Sequence, residues 1–348
     1  MLTRRRLMVS IGGALAVGPG PAGAAAPDDL ARRFAAIEGR SGGRLGVAVL
    51  DLRTGAGAGY RPDERFPMCS TFKLLAAAAV LAQVDAGREA LERRVAYGAA
   101  DLVEYSPVTK ARLGEGAMPL ADLCEAALTL SDNTAGNLLL AAIGGPAGLT
   151  DYARSLGDMW TRLDRVEPDL NEARPDDPRD TTTPAAMLAD LRRLVLGDAL
   201  APASRERLAG WLSANRTGGS RLRARLPAGW RVGDKTGSGD RGTANDVGIL
   251  WPPAGEPILV AAFLTGTDAP AEARSATLAA VGEAVATLPL TAQAGRASAR
   301  PNISRRAGST WWRTSGERSS DCAVSGSQRS ASRLPSGIQG SASSRAPA

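Results

Sequence analysis

Ser70-Thr71-Phe72-Lys73 opens an alanine- and leucine-rich run that continues to Val84. The run reads as a buried helix beginning at Ser70. Residues three apart share a helix face, so the Lys73 amine can reach the Ser70 hydroxyl. The chain contains no histidine, so the usual general base of a serine hydrolase is missing. A nucleophilic Ser70 must then be activated by an amine or a carboxylate. Zinc sites built on His ligands are excluded by the same count. An ordinary lysine, with a pKa of about 10.4, keeps its proton at neutral pH. Burial or a nearby cation lowers that value, and Lys235 is a candidate cation. The N–H groups at a helix start favour an oxyanion there. Alone, Ser-x-x-Lys is a weak signal.

Three further stretches carry chemistry. Ser131-Asp132-Asn133 lies between two expected helices. Its serine hydroxyl suits a proton relay, and the Asn133 amide offers both a donor and an acceptor; helix capping is the plain alternative. Lys235-Thr236-Gly237-Ser238 follows an alternating segment from Trp230 and reads as a strand. A cation beside hydroxyls binds a carboxylate, and Gly237 allows close approach to the backbone. The Ser238 N–H is a candidate second oxyanion donor; an ordinary edge strand is the alternative. Arg165-Val166-Glu167-Pro168-Asp169-Leu170-Asn171 opens a loop that ends near Asp180. Glu167 can hold a water that Asn171 orients, a cis Glu167-Pro168 bond is expected to turn Glu167 inward, and Arg165 and Asp180 can clasp the loop ends. A solvated acidic loop is the alternative.

The order of elements suggests the fold. Leu45 to Leu50, Trp230 to Thr236, Asp246 to Trp251 and Ile258 to Thr265 read as strands. Helices are expected from Ser70, over Leu120 to Leu130, over Asn133 to Ile143 (closed by Gly144-Gly145), from the Thr183-Pro184 cap to Leu196, over Arg205 to Asn215, and from Ala271 to about Leu288. Tyr60 to Met68 reads as irregular. Strands at both ends of the core pair into one antiparallel sheet, covered by helices, with a helical block between. The expected class is α+β: an αβα sandwich plus an all-helical subdomain, the α/β lobe spanning about 27–60 and 213–290 and the helical lobe about 61–212. The cleft between lobes is the expected site.

Taken together and in this order, Ser-x-x-Lys, Ser-Asp-Asn, Glu-Pro-Asp-Leu-Asn and Lys-Thr-Gly resemble the class A β-lactamases. The resemblance covers about Asp28 to Leu290 and extends to Asp101 through Val108, where it implies an aromatic, Tyr105, at the cleft mouth. It implies the fold described above and a two-step mechanism. Ser70 attacks the lactam carbonyl, and Lys73, or Glu167 through a water, takes its proton. Ser131 passes a proton to the lactam nitrogen. The Ser70 and Ser238 N–H groups hold the oxyanion. Lys235, Thr236 and Ser238 receive the substrate carboxylate, with Arg221 in support rather than Arg241. Asn133 and the backbone near Gly237 and Ser238 bind the side-chain amide. Glu167 with Asn171 then activates the hydrolytic water. A bridge found in some carbapenem-hydrolysing members needs a partner for Cys69 where this chain has Gly239; another pairs the position of Cys124 with that of Ala77. Both are missing. Penicillins and cephalosporins are the implied substrates, without a cofactor or metal. A peptidoglycan D,D-peptidase and a non-enzymatic lactam sensor are the competing readings; the Glu-Pro-Asp-Leu-Asn stretch disfavours the first, and the second needs a membrane span or partner that the sequence does not display.

Composition agrees with a soluble domain. Of 348 residues, 44% are hydrophobic and 22% charged, with a net charge of +6. That excess is terminal: residues 1–26 carry +3 and 291–348 carry +7, leaving −4 on residues 27–290. A nucleic-acid partner thereby loses its support. Only three lysines occur, Lys73, Lys110 and Lys235, against a background of arginine. Lysine can lose its proton and arginine cannot, which makes the two in motifs informative. The three cysteines, Cys69, Cys124 and Cys322, cannot all pair within one chain. Thr3-Arg4-Arg5-Arg6, a short apolar stretch and a small-residue run give residues 1–26 the order of an export signal, twin-arginine-like or ordinary secretory, so a mature chain from near Pro27 is expected in the periplasm or outside the cell. No other run reaches membrane-spanning length, so stable membrane association is not expected, and a monomer is. Residues 291–348, rich in Ser and Arg, read as a disordered tail without function.

Overall fold

The computed structural model describes residues 27–287. The expected export signal 1–26, Cys322, the end expected for the last helix at about Leu288 and the expected tail 291–348 lie outside the described residues. Among the described residues the first element is α1 (Pro27–Ser41), which enters β1 (Arg44–Asp51) and β2 (Gly57–Tyr60). A short β3 (Phe66–Pro67) precedes α2 (Phe72–Asp85). There follow β4 (Arg94–Ala96), α3 (Pro107–Ala111), β5 (Ala117–Pro119), α4 (Leu120–Thr129), α5 (Asn133–Ala142) and α6 (Gly145–Ser155). Next come β6 (Thr181–Thr182), α7 (Pro184–Val195) and α8 (Pro202–Ser213). The last described elements are β7 (Arg231–Gly239), β8 (Thr243–Trp251), β9 (Ile258–Thr265) and α9 (Ala271–Ala286).

The main sheet has the order β2-β1-β9-β8-β7, and every pairing is antiparallel. Its centre, β9, is buried along its whole length and apolar from Ile258 to Leu264 because both faces are covered. Val260, Ala262 and Leu264 join Leu30, Phe34, Leu278 and Val281 of α1 and α9. Leu259, Ala261 and Phe263 join Met187, Leu191, Leu208 and Trp211 of α7 and α8 on the other face. This is the expected α+β sandwich with a helical block inserted between β3 and β7. Within that block α2 is buried all round, packed by α4, α5, α6 and α8. Among the described residues no helix is long and apolar enough to cross a membrane.

Several boundaries differ from the sequence reading. The helix expected from Ser70 starts at Phe72; Cys69–Thr71 forms a tighter 3₁₀ turn instead. Cys69 sits at φ 45°, in the left-handed region that a regular helix does not admit. Asn245 fixes that turn by donating to the carbonyls of Pro67 and Met68 at 2.8 and 3.0 Å. The stretch Tyr60 to Met68 is not wholly irregular, since it contains the end of β2 and all of β3. The helix expected to reach Ile143 stops at Ala142, and Gly145 opens a further helix, α6. The helix expected from Arg205 begins at Pro202, with proline in its first turn. The strand from Trp230 runs on to Gly239, because its full length pairs with β8.

Candidate active site

Ser70 stands in the 3₁₀ turn before α2, and β7, the outer strand of the sheet, packs against that turn. Lys73 occupies the first turn of α2 with no exposed surface. Its Nζ donates to Ser70 Oγ at 2.9 Å, to Ser131 O at 2.9 Å and to Asn133 Oδ1 at 2.6 Å. Glu167 Oε1 lies 3.0 Å from the same nitrogen. Ser70 Oγ in turn donates to Glu167 Oε1 at 3.1 Å. Serine, amine and carboxylate thus form one closed contact group. Leaving an ammonium dry costs several kcal/mol, which only good hydrogen bonds and a counter-charge offset. Here burial outweighs the attraction of Glu167, and the Lys73 pKa falls below that of a free lysine.

Ser131 bends the chain between α4 and α5 at φ 57°. Its hydroxyl accepts from Lys235 Nζ at 3.0 Å, and Lys73 Nζ lies 3.5 Å away. The Asp132 side chain has a separate, architectural task. It caps α5 through Ala135 N at 2.8 Å and gathers the N–H groups of Val108 and Thr109 at 2.9 Å. The Asn133 amide is used at both ends within the protein, since its Nδ2 donates to Glu104 O at 2.9 Å.

Lys235, fully buried on β7, also donates to Thr236 O at 2.7 Å. Burial first, then the charges of Lys73 and Arg221, push its pKa well below the usual lysine range. Thr236 Oγ1 meets Thr217 Oγ1 at 2.5 Å. Arg221 reaches the same strand: NH1 donates to Gly237 O at 2.7 Å and NH2 to Ser238 Oγ at 2.6 Å. Arg241 lies elsewhere, in the β7–β8 turn, lining a different cavity with Arg44, Arg65 and Arg174. A Cβ on Gly237 would meet Met68 O at 2.8 Å. The glycine therefore admits the backbone before Ser70, a constraint from the protein itself.

The Glu167 loop is closed at its neck. Arg162 pairs with Thr181, and Asp180 Oδ1 accepts the N–H groups of Asp164 at 2.8 Å and Arg165 at 2.9 Å. Arg165 completes the clasp through Nε to Asp180 Oδ2 at 2.6 Å. The Glu167-Pro168 peptide is cis, and Glu167 is 1% exposed. Asn171 Nδ2 donates to Glu167 Oε2 at 2.5 Å, while Asn171 Oδ1 is buried without a protein partner. An orphaned acceptor beside a carboxylate suits a bound water. An open cavity of about 610 Å³ lies outside, lined by Tyr105, Glu104, Asn133, Asn171 and Asp240 among others. Tyr105 is 57% exposed at its edge.

The structure adds residues that the sequence reading passed over. Asn137 holds the Glu167 backbone in both directions. Gly136 leaves room for Lys73, whose Cε would stand 2.7 Å from a Cβ there. Asn215 supports Thr217 and donates to Asp234 beside Lys235. A lone Asn or Gly in an apolar helix carries no motif; the one available signal was that Gly136 lowers helix propensity in the middle of α5. Cys69 and Cys124 are buried free thiols, and burial raises the pKa of both.

Known proteins place this arrangement. A profile of the beta-lactamase enzyme family matches residues 29–288. The β-lactamase CTX-M-8 of Citrobacter amalonaticus is 47% identical over 282 residues, covering 81% of this chain and 96% of that protein. The β-lactamase AST-1 of Nocardia asteroides is 53% identical over 247 residues, 71% of this chain and 79% of the relative. Among solved structures, an ancestral class A β-lactamase (GNCA) is 64% identical with a TM-score of 0.72, covering 74% of this chain and 98% of its own. A putative class A enzyme, PenP of Rhodopseudomonas palustris, is 60% identical with the same TM-score and coverage. With family profile, relatives and fold in agreement, the chain belongs to the β-lactamase enzyme family, among the class A serine hydrolases.

Proposed function

We propose that the chain hydrolyses the lactam amide of penicillins and cephalosporins through an acyl-enzyme on Ser70, and so confers resistance to them. The reading rests above all on the buried contact of Lys73 Nζ with Ser70 Oγ, Ser131 and Glu167. The Ser70 proton passes to the Lys73–Glu167 pair, whose nitrogen and carboxylate oxygen stand 3.0 Å apart. Ser131, bridged between Lys73 and Lys235, relays a proton to the lactam nitrogen as the ring opens. The Ser70 and Ser238 N–H groups stabilise the oxyanion. Lys235, Thr236, Ser238 and Arg221 form the carboxylate pocket. Asn133 and the backbone of Gly237 receive the side-chain amide, with Tyr105 at the mouth. In the second step Glu167 and the orphaned Asn171 oxygen hold the water that releases the product. A carbapenem is a poor substrate on this reading, since Cys69 has no cysteine opposite it.

Segment 1–26 acts as the export signal, delivering a monomeric enzyme to the periplasm or medium, and residues 291–348 are dispensable. N-terminal sequencing of the exported protein and the activity of a chain truncated at 290 test these points. The main test is turnover of one penicillin, one cephalosporin and one carbapenem. Rapid hydrolysis of the first two is expected. A permanent adduct without turnover would indicate a D,D-peptidase or a sensor instead.

A further inference from the structure

Asn245, on β8, joins the two pieces of backbone that carry the proposed oxyanion donors. It is fully buried. In the sheet it stands opposite Gly237, the residue before Ser238. Its side chain reaches the turn that carries Ser70, where Nδ2 donates to Pro67 O at 2.8 Å and to Met68 O at 3.0 Å. Carbonyl oxygens only accept, so the amide nitrogen must face them. Asn245 Oδ1 is buried without a protein partner. Donation, not acceptance, is what this asparagine supplies.

The turn needs such fastening. Cys69 stands at φ 45°, which a residue with a side chain keeps only where its surroundings over-determine it. Met68 N donates to Asp180 O at 2.9 Å, which ties the turn to the neck of the Glu167 loop. Thr71 folds back on Met68 O through N at 3.2 Å and Oγ1 at 2.8 Å, which ties the turn to itself. The Asn245 amide ties it to the sheet.

The strand side is equally defined. A Cβ on Gly237 would stand 2.8 Å from Met68 O, 3.2 Å from Asn245 Nδ2 and 3.2 Å from Thr71 Cγ2. Turn, amide and strand therefore meet at one point that has no room for another side chain. Arg221 NH1 donates to the carbonyls of both Gly237 and Asn245, at 2.7 and 2.6 Å, and so fixes the backbone from which the amide projects. Ser238 is one step further along β7.

We infer that Asn245 is a positioning residue whose amide sets the spacing between the Ser70 and Ser238 N–H groups, and with it the fit of the oxyanion hole. Such a hole acts through donors held in advance where charge develops, so its misalignment slows the chemical step and leaves ground-state binding nearly unchanged. The effect on acylation rests on the proposed role of Ser70; the spacing does not.

Asn245→Leu keeps an apolar side chain of similar length but cannot donate. Asn245→Asp sets a carboxylate against two carbonyl oxygens in alkali and, when protonated, offers one O–H donor. Stopped-flow traces with a penicillin separate binding from acylation. Asn245→Leu is expected to acylate about 10- to 100-fold more slowly, with non-covalent binding within about threefold of wild type. Asn245→Asp is expected to acylate faster than Asn245→Leu in acid and to lose that advantage as pH rises. In crystal structures of the full-length wild type and Asn245→Leu, the separation of Ser70 N and Ser238 N is expected to differ by about 0.5 Å or more.

Acylation within about twofold of wild type, or a loss carried by binding alone, overturns the inference. So does an unmoved pair of nitrogens, or an Asn245→Asp profile parallel to that of wild type. If Asn245→Leu does not fold, the pH profile of Asn245→Asp and its own nitrogen separation decide. If the wild type forms no acyl-enzyme, the proposed function falls and the crystal separation judges the positioning alone.

Discussion

Asn137 and Glu167 hold each other by their backbone and amide groups: Glu167 N donates to Asn137 Oδ1 at 2.8 Å, and Asn137 Nδ2 donates to Glu167 O at 2.9 Å. Helix α5 therefore positions the loop carboxylate from across the site. Asn137→Ala leaves two polar groups of Glu167 without partners, each worth roughly 1–3 kcal/mol when buried. A stability loss of about 2–4 kcal/mol by denaturant unfolding is expected, with slower deacylation in stopped-flow traces. Wild-type stability and turnover in this variant would remove Asn137 from the account.

Glu167→Ala removes the water-activating carboxylate while keeping Ser70 and Lys73. The variant is expected to be acylated by a penicillin and to retain the adduct. Intact-protein mass spectrometry after brief exposure checks this. An unmodified mass with continued turnover contradicts the assigned role.

Gly136→Ala separates activity from folding. The added Cβ would stand 2.7 Å from Lys73 Cε, the far end of a flexible chain. That chain can yield, so stability is expected to change by about 1 kcal/mol or less, helped by alanine's better helix propensity. The displaced ammonium loses its alignment with Ser70, and kcat/KM is expected to drop at least about tenfold. Unchanged kinetics would show that Lys73 has room to spare.

The lowered Lys73 pKa, caused first by burial, has a direction that kinetics can read. Below that pKa the group is an ammonium; above it, an amine able to accept the Ser70 proton. Wild-type acylation is expected to rise with pH and level off below the range of a free lysine. Lys73→Arg cannot make the change, so its rate should be flat and about 10²–10⁴-fold lower. An Arg variant within tenfold of wild type assigns the proton to Glu167 alone.

The legible parts of the sequence were those where one local pattern sufficed. β9 was read to its end residues because a branched apolar run allows few alternatives. The Thr183 cap was visible because Thr-Pro sets both a side-chain acceptor and a fixed φ, and the hydroxyl does accept from Ala186 N at 3.1 Å. Helix α1 was missed, since Leu30, Phe34 and Ile37 form a sparse stripe among charges and bury themselves only against the sheet and α9. The last residues of β7, with two glycines, have poor strand propensity; pairing with β8 overrides it. In the site, motif residues were readable because chemistry restricts their identity. Asn137 and Gly136 depend on partners 30 or more residues away or on empty space, which no local window contains.

The loop neck separates two halves of one segment. Glu167 through Asn171 are held by Asn137, the Ser70 group and the clasp at Asp180. Arg174, Pro175 and Asp176 are exposed at the far side. Since the anchoring lies upstream and at the neck, the outer arc is free to drift in length and composition without moving the carboxylate. It is the natural graft point for a peptide tag or reporter, and the place where lineages can change the enzyme's surface while its chemistry stays fixed.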